Sequence, residues 1–382
     1  MSTPAASPQP PGPPQRPAPL ERPAPPPRLR ALLRSRRGML AAALALALVA
    51  ACALAFPWPR GFRGAPAGDE SLARSVQAAL PAGYRHSGAF ALVKDGSSPR
   101  FGGFGADEHT VFEIGSVTKT FTAALFADAV RRGEVRAAQR LGSIFPELRD
   151  APAGELTLEQ LAEQQTGFPR RADAAPLGQL PRTLARLDPC TKDLAGVLAH
   201  AAQTQPDPGH YAYSNLGVAL LGQAVARAAH TDYPALVRAR LLEPLGMTET
   251  TVPMRPADLP AGSPHGYTAA GLPAGPWTLG ALAPAGSIRS TAHDMALWVA
   301  AMADGTAPGA AAAKERADAD DGAKIGYVWM HTDGLTWHNG ATGGYRSWAG
   351  FDAHGRGLVV LTDSAVSVDE AADALREEGA DS

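Results

Sequence analysis

The stretch FEIGSVTK, residues 112–119, decides the fold of this 382-residue chain. A short apolar run leads to Gly115, which allows a tight turn, and apolar residues at helical spacing predict a helix over Val117–Arg132. Ser116 therefore falls at the start of a helix. Lys119 lies three residues further on and shares its helix face, so its amine is expected beside the Ser116 hydroxyl.

A serine and a lysine in this arrangement can form an activated nucleophile. A serine hydroxyl is a poor nucleophile until a base removes its proton. A desolvated lysine near the positive end of a helix favours its neutral form and can act as that base, whereas arginine stays protonated. Because the chain contains 30 Arg and only five Lys, Lys119 stands out. The alternative interpretation is a helix-capping serine with a surface lysine.

A second motif, Tyr213-Ser214-Asn215, comes just before a helix predicted over Leu216–Ala229. A tyrosine phenol beside an ammonium group can exchange protons with a nucleophile and a leaving group. The Asn215 amide is able to position Lys119 and a substrate carbonyl. The alternative is a buried tyrosine followed by a capping asparagine.

A third motif, His338-Asn339-Gly340, ends a predicted strand. Glycine at that point lets a substrate lie against the edge of the strand. The backbone amide of Ala341 is expected to pair with that of Ser116 as an oxyanion hole.

In this order, the Ser-x-x-Lys, Tyr-x-Asn and His-x-Gly motifs resemble those of the serine β-lactamase and penicillin-binding superfamily. The similarity is to its branch of class C β-lactamases, D-alanyl-D-alanine carboxypeptidases and esterases, and covers roughly residues 72–375. It implies an α+β fold of the β-lactamase/transpeptidase type, an antiparallel sheet flanked by helices with an inserted all-helical lobe. It also implies that Ser116 forms an acyl-enzyme while Lys119 and Tyr213 share the proton transfers. The substrate-binding residues that follow from the motifs are Asn215, His338, Gly340 and Ala341.

The chain also departs from the pattern of this family. His338 stands where classical β-lactamases carry lysine, and a neutral histidine recognises a carboxylate less well, which favours a peptidase, amidase or esterase. The family often shows the pattern His-Thr-Ser-Gly-Leu-Pro. At this point the chain has Gln164 and Gln165 followed directly by Thr-Gly, so the histidine and the serine of the pattern are missing. Arg170 and Arg171 are interpreted as surface residues, with a position facing the substrate as the alternative.

The composition argues against several other classes of protein. A net charge of −2 does not suggest a nucleic-acid partner, and two cysteines exclude a disulfide scaffold and a cysteine-based zinc site. His265, His293 and His354 lack metal-ligand spacing, so neither a metal nor another cofactor is predicted. The expected partner is a small peptide, amide or ester substrate, peptidoglycan-derived peptides included.

The N-terminal part is predicted to lie outside the catalytic domain. Residues 1–37 read as a disordered Pro/Arg-rich tail, 38–59 as a transmembrane anchor or signal segment, 60–71 as a linker, and 72–378 as the hydrolase domain. The apolar run Met39–Phe56 is about 27 Å long as a helix. Seven arginines precede it, which predicts a cell-membrane protein with its catalytic domain outside the cytoplasm. A cleaved signal and a lipoprotein anchored at Cys52 are the alternatives.

Further elements follow from periodicity. Helices are predicted over Leu156–Gln164, Tyr233–Leu242, Thr291–Met302 and Val368–Glu378. Strands are predicted over Ala89–Lys94, Phe101–Phe104, Ile325–His331, Leu335–His338, Tyr345–Asp352 and Gly357–Thr362. The sequence thus predicts an exported or membrane-anchored serine hydrolase for D-Ala-D-Ala-type peptides or related amides and esters. The alternatives are a class C-like β-lactamase, a small-ester esterase, and a non-catalytic sensor of β-lactams or cell-wall fragments.

Overall fold

The computed structural model describes residues 36–55, 61–62, 64–94, 97–170, 187–371 and 374. The chain divides into two units, residues 1–57 and 58–382. Helix α1, Arg36–Ala55, belongs to the first unit, and nine of its 20 residues are alanine, whose small side chain adds little hydrophobicity. Among the described residues, no helix is both long and apolar enough to cross a membrane. Residues 56–59 of the predicted anchor or signal, 38–59, and most of the predicted tail, 1–37, lie outside the described residues.

The second unit contains the strands. They are β1 Gly61–Phe62, β2 Pro66–Gly68, β3 Tyr84–Arg85, β4 Gly88–Val93, β5 Arg100–Phe104, β6 Phe112–Glu113, β7 Arg289–Ser290, β8 Ala317–Asp318, β9 Lys324–Ile325, β10 Met330–Thr332, β11 Leu335–Ala341, β12 Arg346–Asp352 and β13 Gly357–Thr362. Within the described residues, nine of them form one antiparallel sheet in the order β2-β5-β4-β13-β12-β11-β10-β9-β8. Strands β1 and β3 form a parallel pair, and β6 and β7 an antiparallel pair.

Helices pack on the sheet. The part of the chain between the N-terminal and the C-terminal groups of sheet strands forms a helical lobe. The helices are α2 Glu70–Ala79, α3 Thr118–Arg131, α4 Leu141–Ile144, α5 Leu158–Ala162, α6 Leu194–Gln203, α7 Asn215–Ala228, α8 Tyr233–Val237 and α9 Ala292–Ala303. After α8 the chain continues through a π-helical segment, Arg238–Leu242, and a last turn, Glu243–Leu245. Single 3-10 turns occur at Gly115–Val117, Pro146–Leu148, Pro152–Glu155, Pro256–Asp258, Gly280–Ala285, Ala310–Ala313 and Asp320–Gly322.

The central strands are buried on both faces. In β4, Ala89 and Ala91 face the larger core, which includes α3 and α9, whereas Phe90 and Leu92 face a smaller core beneath α2. Side chains alternate between the two faces of a strand, so a strand covered on both sides reads as one continuous apolar run. This architecture confirms the predicted α+β fold, with sheet strands from both ends of the domain.

Several predicted elements are confirmed, namely the helices α3, α7 and α9 and the strands β4, β5, β11, β12 and β13, of which β4 and β5 pair as a hairpin. Trp298 on α9 is fully buried in the core and stacks on Phe121 with ring centres 4.1 Å apart. The helix predicted over Leu156–Gln164 is shorter, Leu158–Ala162. The closing helix predicted over Val368–Glu378 lies largely outside the described residues.

The backbone explains one wrong prediction and one helix that ends later than predicted. The strand predicted over Ile325–His331 is a hairpin, because Val328 takes a φ of 57° and reverses the chain between β9 and β10. The helix predicted over Tyr233–Leu242 extends further: its π-helical segment lets the chain continue past Pro244 to Leu245, and Gly246 ends the helix with a φ of 71°. The stretch interpreted as a linker, 60–71, contributes β2 to the sheet.

Candidate active site

The nucleophile turn is the 3-10 turn Gly115–Val117 that leads into α3. Gly115 takes a φ of 49°, and a Cβ atom there would lie 2.6 Å from the backbone nitrogen of Ala341. Only glycine therefore allows the turn to approach β11 this closely. Just before the turn, a buried ion pair between Glu113 and Arg289, with an O···N distance of 2.5 Å, joins β6 to β7. The half-buried Ser116 is thus held on a rigid support and stays accessible.

Lys119 lies beside the nucleophile as its spacing predicts. Its Nζ is 2.9 Å from Ser116 Oγ and donates to the Ala285 carbonyl oxygen at 2.6 Å. The side chain is fully buried, and burial, helped by the charge of Arg170, holds the pKa of Lys119 well below its usual 10.5. A neutral amine with a free lone pair is therefore favoured next to the hydroxyl.

Tyr213 completes a triad with these two residues. The Ser116 side chain lies near enough to affect the pKa of the Tyr213 phenol, and the Tyr213 ring centre lies 4.9 Å from Lys119 Nζ. Burial raises the pKa of Tyr213 above its usual 10. The same site thus favours a neutral amine and a protonated phenol, and divergent pKa values of this kind separate a base from an acid.

The loop that carries Tyr213 is tied down by Gln164. The Gln164 side-chain oxygen accepts the backbone N–H of Ser214 at 2.7 Å, and its carbonyl accepts that of Ala212 at 2.7 Å. The Ser214 hydroxyl then caps α7 by accepting the N–H of Gly217 at 3.1 Å. The departure from the family pattern at Gln164 therefore has a structural use, which the sequence alone did not reveal.

Arg170 is exposed, as the surface interpretation predicts. Its guanidinium also lies 4.6 Å from the centre of the Tyr213 ring, next to the candidate site. Asn215 holds this segment, since its side-chain Nδ2 donates to the Arg170 carbonyl oxygen at 2.9 Å. The predicted link between Asn215 and Lys119 is replaced by the bond from Lys119 to Ala285. Arg171 lies outside the described residues.

His338 faces the triad from β11, its ring centre 6.2 Å from that of Tyr213. It is 3% exposed, and its Nδ1 donates to the Asn339 carbonyl oxygen at 2.6 Å. Burial, then the charges of Lys119 and Arg170, lower the pKa of His338 to about 3. The imidazole is therefore neutral over the physiological range, and its Nε2 remains an acceptor.

The end of β11 packs directly on the nucleophile turn. A Cβ on Gly340 would lie 2.1 Å from the Ile114 carbonyl oxygen and 2.3 Å from Ser347 Oγ, so the missing side chain admits the turn. Asn339 points to the opposite face, where its amide donates to Asp369 at 2.5 Å. The backbone of Ala341 thus reaches the turn of Ser116, as an oxyanion hole requires.

A cavity away from Ser116 carries none of this chemistry. A groove of about 760 Å³ is lined by residues of the helical lobe, among them Lys192, Arg238, Arg255 and Asp258. Ser116 and Lys119 are not among its lining residues. The chemistry of the side chains, and not cavity size, identifies the candidate active site.

Comparison with known proteins agrees with this arrangement. A human protein, putative beta-lactamase-like 1, is 32% identical over 225 residues, 56% of this chain and 42% of that protein. A beta-lactamase from Psychrobacter immobilis is 31% identical over 224 residues, 56% of this chain and 52% of its own length. The matched stretch thus spans about half of these curated relatives.

Solved structures agree over a longer range. The D-alanine carboxypeptidase AmpC from Burkholderia cenocepacia aligns with a TM-score of 0.63 and 26% identity, over 78% of this chain and 94% of that one. A class C beta-lactamase aligns with a TM-score of 0.68 over 82% and 96%, and at 17% identity it shows the fold alone. The sequence profile of the beta-lactamase family matches residues 72–381. With the serine, lysine and tyrosine side chains assembled at one turn, the chain belongs to the beta-lactamase family of serine hydrolases.

Proposed function

We propose that this protein is a serine hydrolase that forms an acyl-enzyme at Ser116 with D-Ala-D-Ala-type peptides or related amides and esters. The observation that carries the proposal is the buried Lys119 amine, 2.9 Å from Ser116 Oγ, with its pKa held well below the usual value. A surface lysine beside a capping serine has no need of burial. A non-catalytic sensor would not need the Lys119–Tyr213 pair either.

Acylation follows from the geometry of the triad. Ser116 Oγ attacks the substrate carbonyl while its proton passes to the neutral Lys119 amine. The backbone N–H groups of Ser116 and Ala341 stabilise the developing oxyanion. Tyr213, whose phenol is protonated, gives its proton to the leaving amine or alkoxide as the carbonyl re-forms, and the Lys119 ammonium restores that proton.

Deacylation reverses these roles with water as the nucleophile. Water attacks the acyl carbonyl and gives up a proton to the neutral Lys119 amine; as the carboxylic acid leaves, Tyr213 gives its proton to the Ser116 oxygen, and the Lys119 ammonium restores the Tyr213 proton. The class A arrangement with a deacylating glutamate is absent from the sequence motifs. Water activation therefore rests on the same two side chains that perform acylation.

The charges of the site favour a carboxylate close to the scissile bond. His338 is neutral, so the positive charge that a classical site takes from a lysine is missing at that position. Arg170, exposed over the Tyr213 ring, supplies a cation instead, and guanidinium binds a carboxylate through two parallel hydrogen bonds. A peptide that ends in D-alanine carries such a carboxylate. We propose Arg170 as its anchor.

A small-ester esterase is the second candidate. The neutral His338 supports it, because a neutral imidazole suits an uncharged substrate. A β-lactam substrate remains a further possibility of the same chemistry, in line with the name of the Psychrobacter relative.

A substrate panel separates these activities. The purified protein and its Ser116→Ala variant are incubated with a D-Ala-D-Ala-terminated peptide, a chromogenic β-lactam and a neutral phenyl ester, and products are followed by mass spectrometry. Release of D-alanine, faster in kcat/KM than ester cleavage, supports the carboxypeptidase assignment. Ester cleavage alone supports the esterase. If the Ser116→Ala variant acts as fast as the parent on every substrate, the proposal fails.

We further propose that the domain acts outside the cytoplasm. The substrate class supports this, because cell-wall peptides with D-alanine ends are exported before they are cross-linked. The arginine-rich stretch ahead of the apolar run is typical of a segment that directs export. Fractionation of cells that produce the full chain tests it, with penicillin labelling as the readout. Activity confined to the cytoplasmic fraction would contradict it.

A further inference from the structure

Three chain segments bring two imidazoles and one carboxylate together outside the active site. His109 lies in the loop before β6, Glu249 in the loop after Leu245, and His293 at the start of α9. His109 Nδ1 is 3.0 and 3.1 Å from the two carboxylate oxygens of Glu249, and the ring centres of the two histidines are 5.3 Å apart. One ligand atom from each residue lies within 4.8 Å of the other two.

Neighbouring groups orient two of these side chains. His293 Nδ1 lies 3.1 Å from Asp294 Oδ1, and Asp294 is fully buried. A proton held on Nδ1 by that carboxylate leaves Nε2 as a lone-pair donor. The Thr291 hydroxyl donates to Glu249 Oε2 at 3.1 Å, and Asp294 accepts the backbone N–H of Glu249 at 2.9 Å. A carboxylate behind a histidine is the usual outer partner of a metal-binding imidazole.

We propose that His109, Glu249 and His293 bind one divalent transition-metal ion, with Zn²⁺ as the preferred ion. Two imidazole nitrogens and one carboxylate form a known protein donor set for zinc and leave a fourth tetrahedral position for water. Zinc also suits imidazole better than Mg²⁺ or Ca²⁺ does, since those ions prefer oxygen ligands. All three side chains are partly exposed, so the ion can enter from solvent.

An ion pair alone explains only part of this cluster. The contact between His109 and Glu249 is a normal salt bridge at the surface. It gives no reason for the second ring to approach from α9 with its Nδ1 fixed by a buried carboxylate. Because a metal would join the loop that leads into β6 to the start of α9, it is expected to stabilise the folded state.

Metal binding by the full-length protein without a histidine tag tests the proposal. The protein is stripped of metal and titrated with Zn²⁺ against a chromogenic chelator, and with Co²⁺ while the visible absorption is recorded. We expect one Zn²⁺ per chain, a rise in Tm with added Zn²⁺, and Co²⁺ bands typical of four- or five-coordination.

Matched variants locate the site. His109→Ala and His293→Ala are expected to weaken Zn²⁺ binding by more than about tenfold, since even an outer partner of a metal ligand is worth that much. His354→Ala removes an exposed histidine from the turn after β12 and is expected to leave the affinity unchanged. Circular dichroism and penicillin labelling at Ser116 verify that each variant is folded. No stoichiometric binding, or equal affinity in the parent and the His293→Ala variant, would overturn the proposal.

Discussion

Arg170→Gln is the substitution that separates electrostatics from fold most cleanly. The Arg170 side chain is exposed, so its loss leaves the core intact. Its guanidinium nevertheless contributes to lowering the pKa values of Lys119 and His338. Removing the charge is therefore expected to raise the pKa of Lys119, so that a higher pH is needed to obtain the neutral amine.

The size of the effect follows from two distances. Lys119 Nζ lies 4.9 Å and the Arg170 guanidinium 4.6 Å from the centre of the Tyr213 ring, so the charges are at most roughly 9.5 Å apart. At an effective dielectric constant of about 20, their repulsion is about 1.7 kcal/mol. Solvent around the exposed Arg170 screens this to about half or less, roughly 0.5–0.9 kcal/mol. Since about 1.4 kcal/mol corresponds to one pH unit, the expected change is about half a pH unit.

The assay is the pH dependence of kcat/KM on a neutral ester, because carboxylate binding does not enter there. The acidic limb reports the base of the free enzyme. Arg170→Gln is expected to move that limb upward by about half a pH unit, whereas Arg170→Lys, which keeps the charge, leaves it in place. With a carboxylate-bearing peptide, Arg170→Gln also raises KM. A limb that stays in place or moves to lower pH would refute the electrostatic reasoning.

Three further predictions test other parts of the site. Lys119→Arg is expected to reduce the rate of acylation by about 10²–10⁴-fold because arginine cannot accept the proton; a variant with the parent's pre-steady-state acylation rate would exclude the base role. Folding lowers the pKa of His338 from 6.5 to about 3. Between these two pH values the unfolded chain therefore binds a proton on His338 that the folded protein does not. The free energy of unfolding therefore falls as pH drops from about 6.5 towards 3, and His338→Gln flattens this slope in urea titrations at pH 7 and 4.5; an unchanged slope would contradict the assignment. Gly340→Ala places a Cβ 2.1 Å from the Ile114 carbonyl oxygen and is expected to cost about 1–3 kcal/mol in thermal unfolding. Gly217→Ala, whose nearest contact is 3.6 Å away, is the matched control, and equal losses in the two variants would remove the steric explanation.

The parts of the site that sequence predicted are those governed by local periodicity. Ser116 and Lys119 meet because residues three apart share a helix face, and Tyr213 and Asn215 lie at a helix start that their own neighbours cap. His338 and Gly340 came from the third motif and its resemblance to the family, and in the structure both lie on β11, where residues two apart face the same side. In each case the spacing within a single element determines where the side chain lies.

The parts that sequence missed depend on contacts between distant segments. The sequence left open whether Arg170 faces the substrate, and in the structure the Asn215 side chain binds the Arg170 backbone beside the Tyr213 ring. Gln164 holds the same loop from a distant turn. The hairpin at Val328 needs a positive φ that a β-branched residue rarely takes, so an apolar run there is read as one strand. His109 and His293 are far apart in sequence, so motif spacing could not group them.

Acylation of Ser116 is the central claim, and one labelling experiment tests it most directly. The full-length protein is incubated with a fluorescent penicillin, and intact-mass spectrometry followed by peptide mapping locates the adduct. The account predicts a single covalent adduct on Ser116, trapped at early times if turnover is fast, and its loss in the Ser116→Ala variant. An adduct on another residue, or no adduct with either a β-lactam or an activated ester, would contradict it.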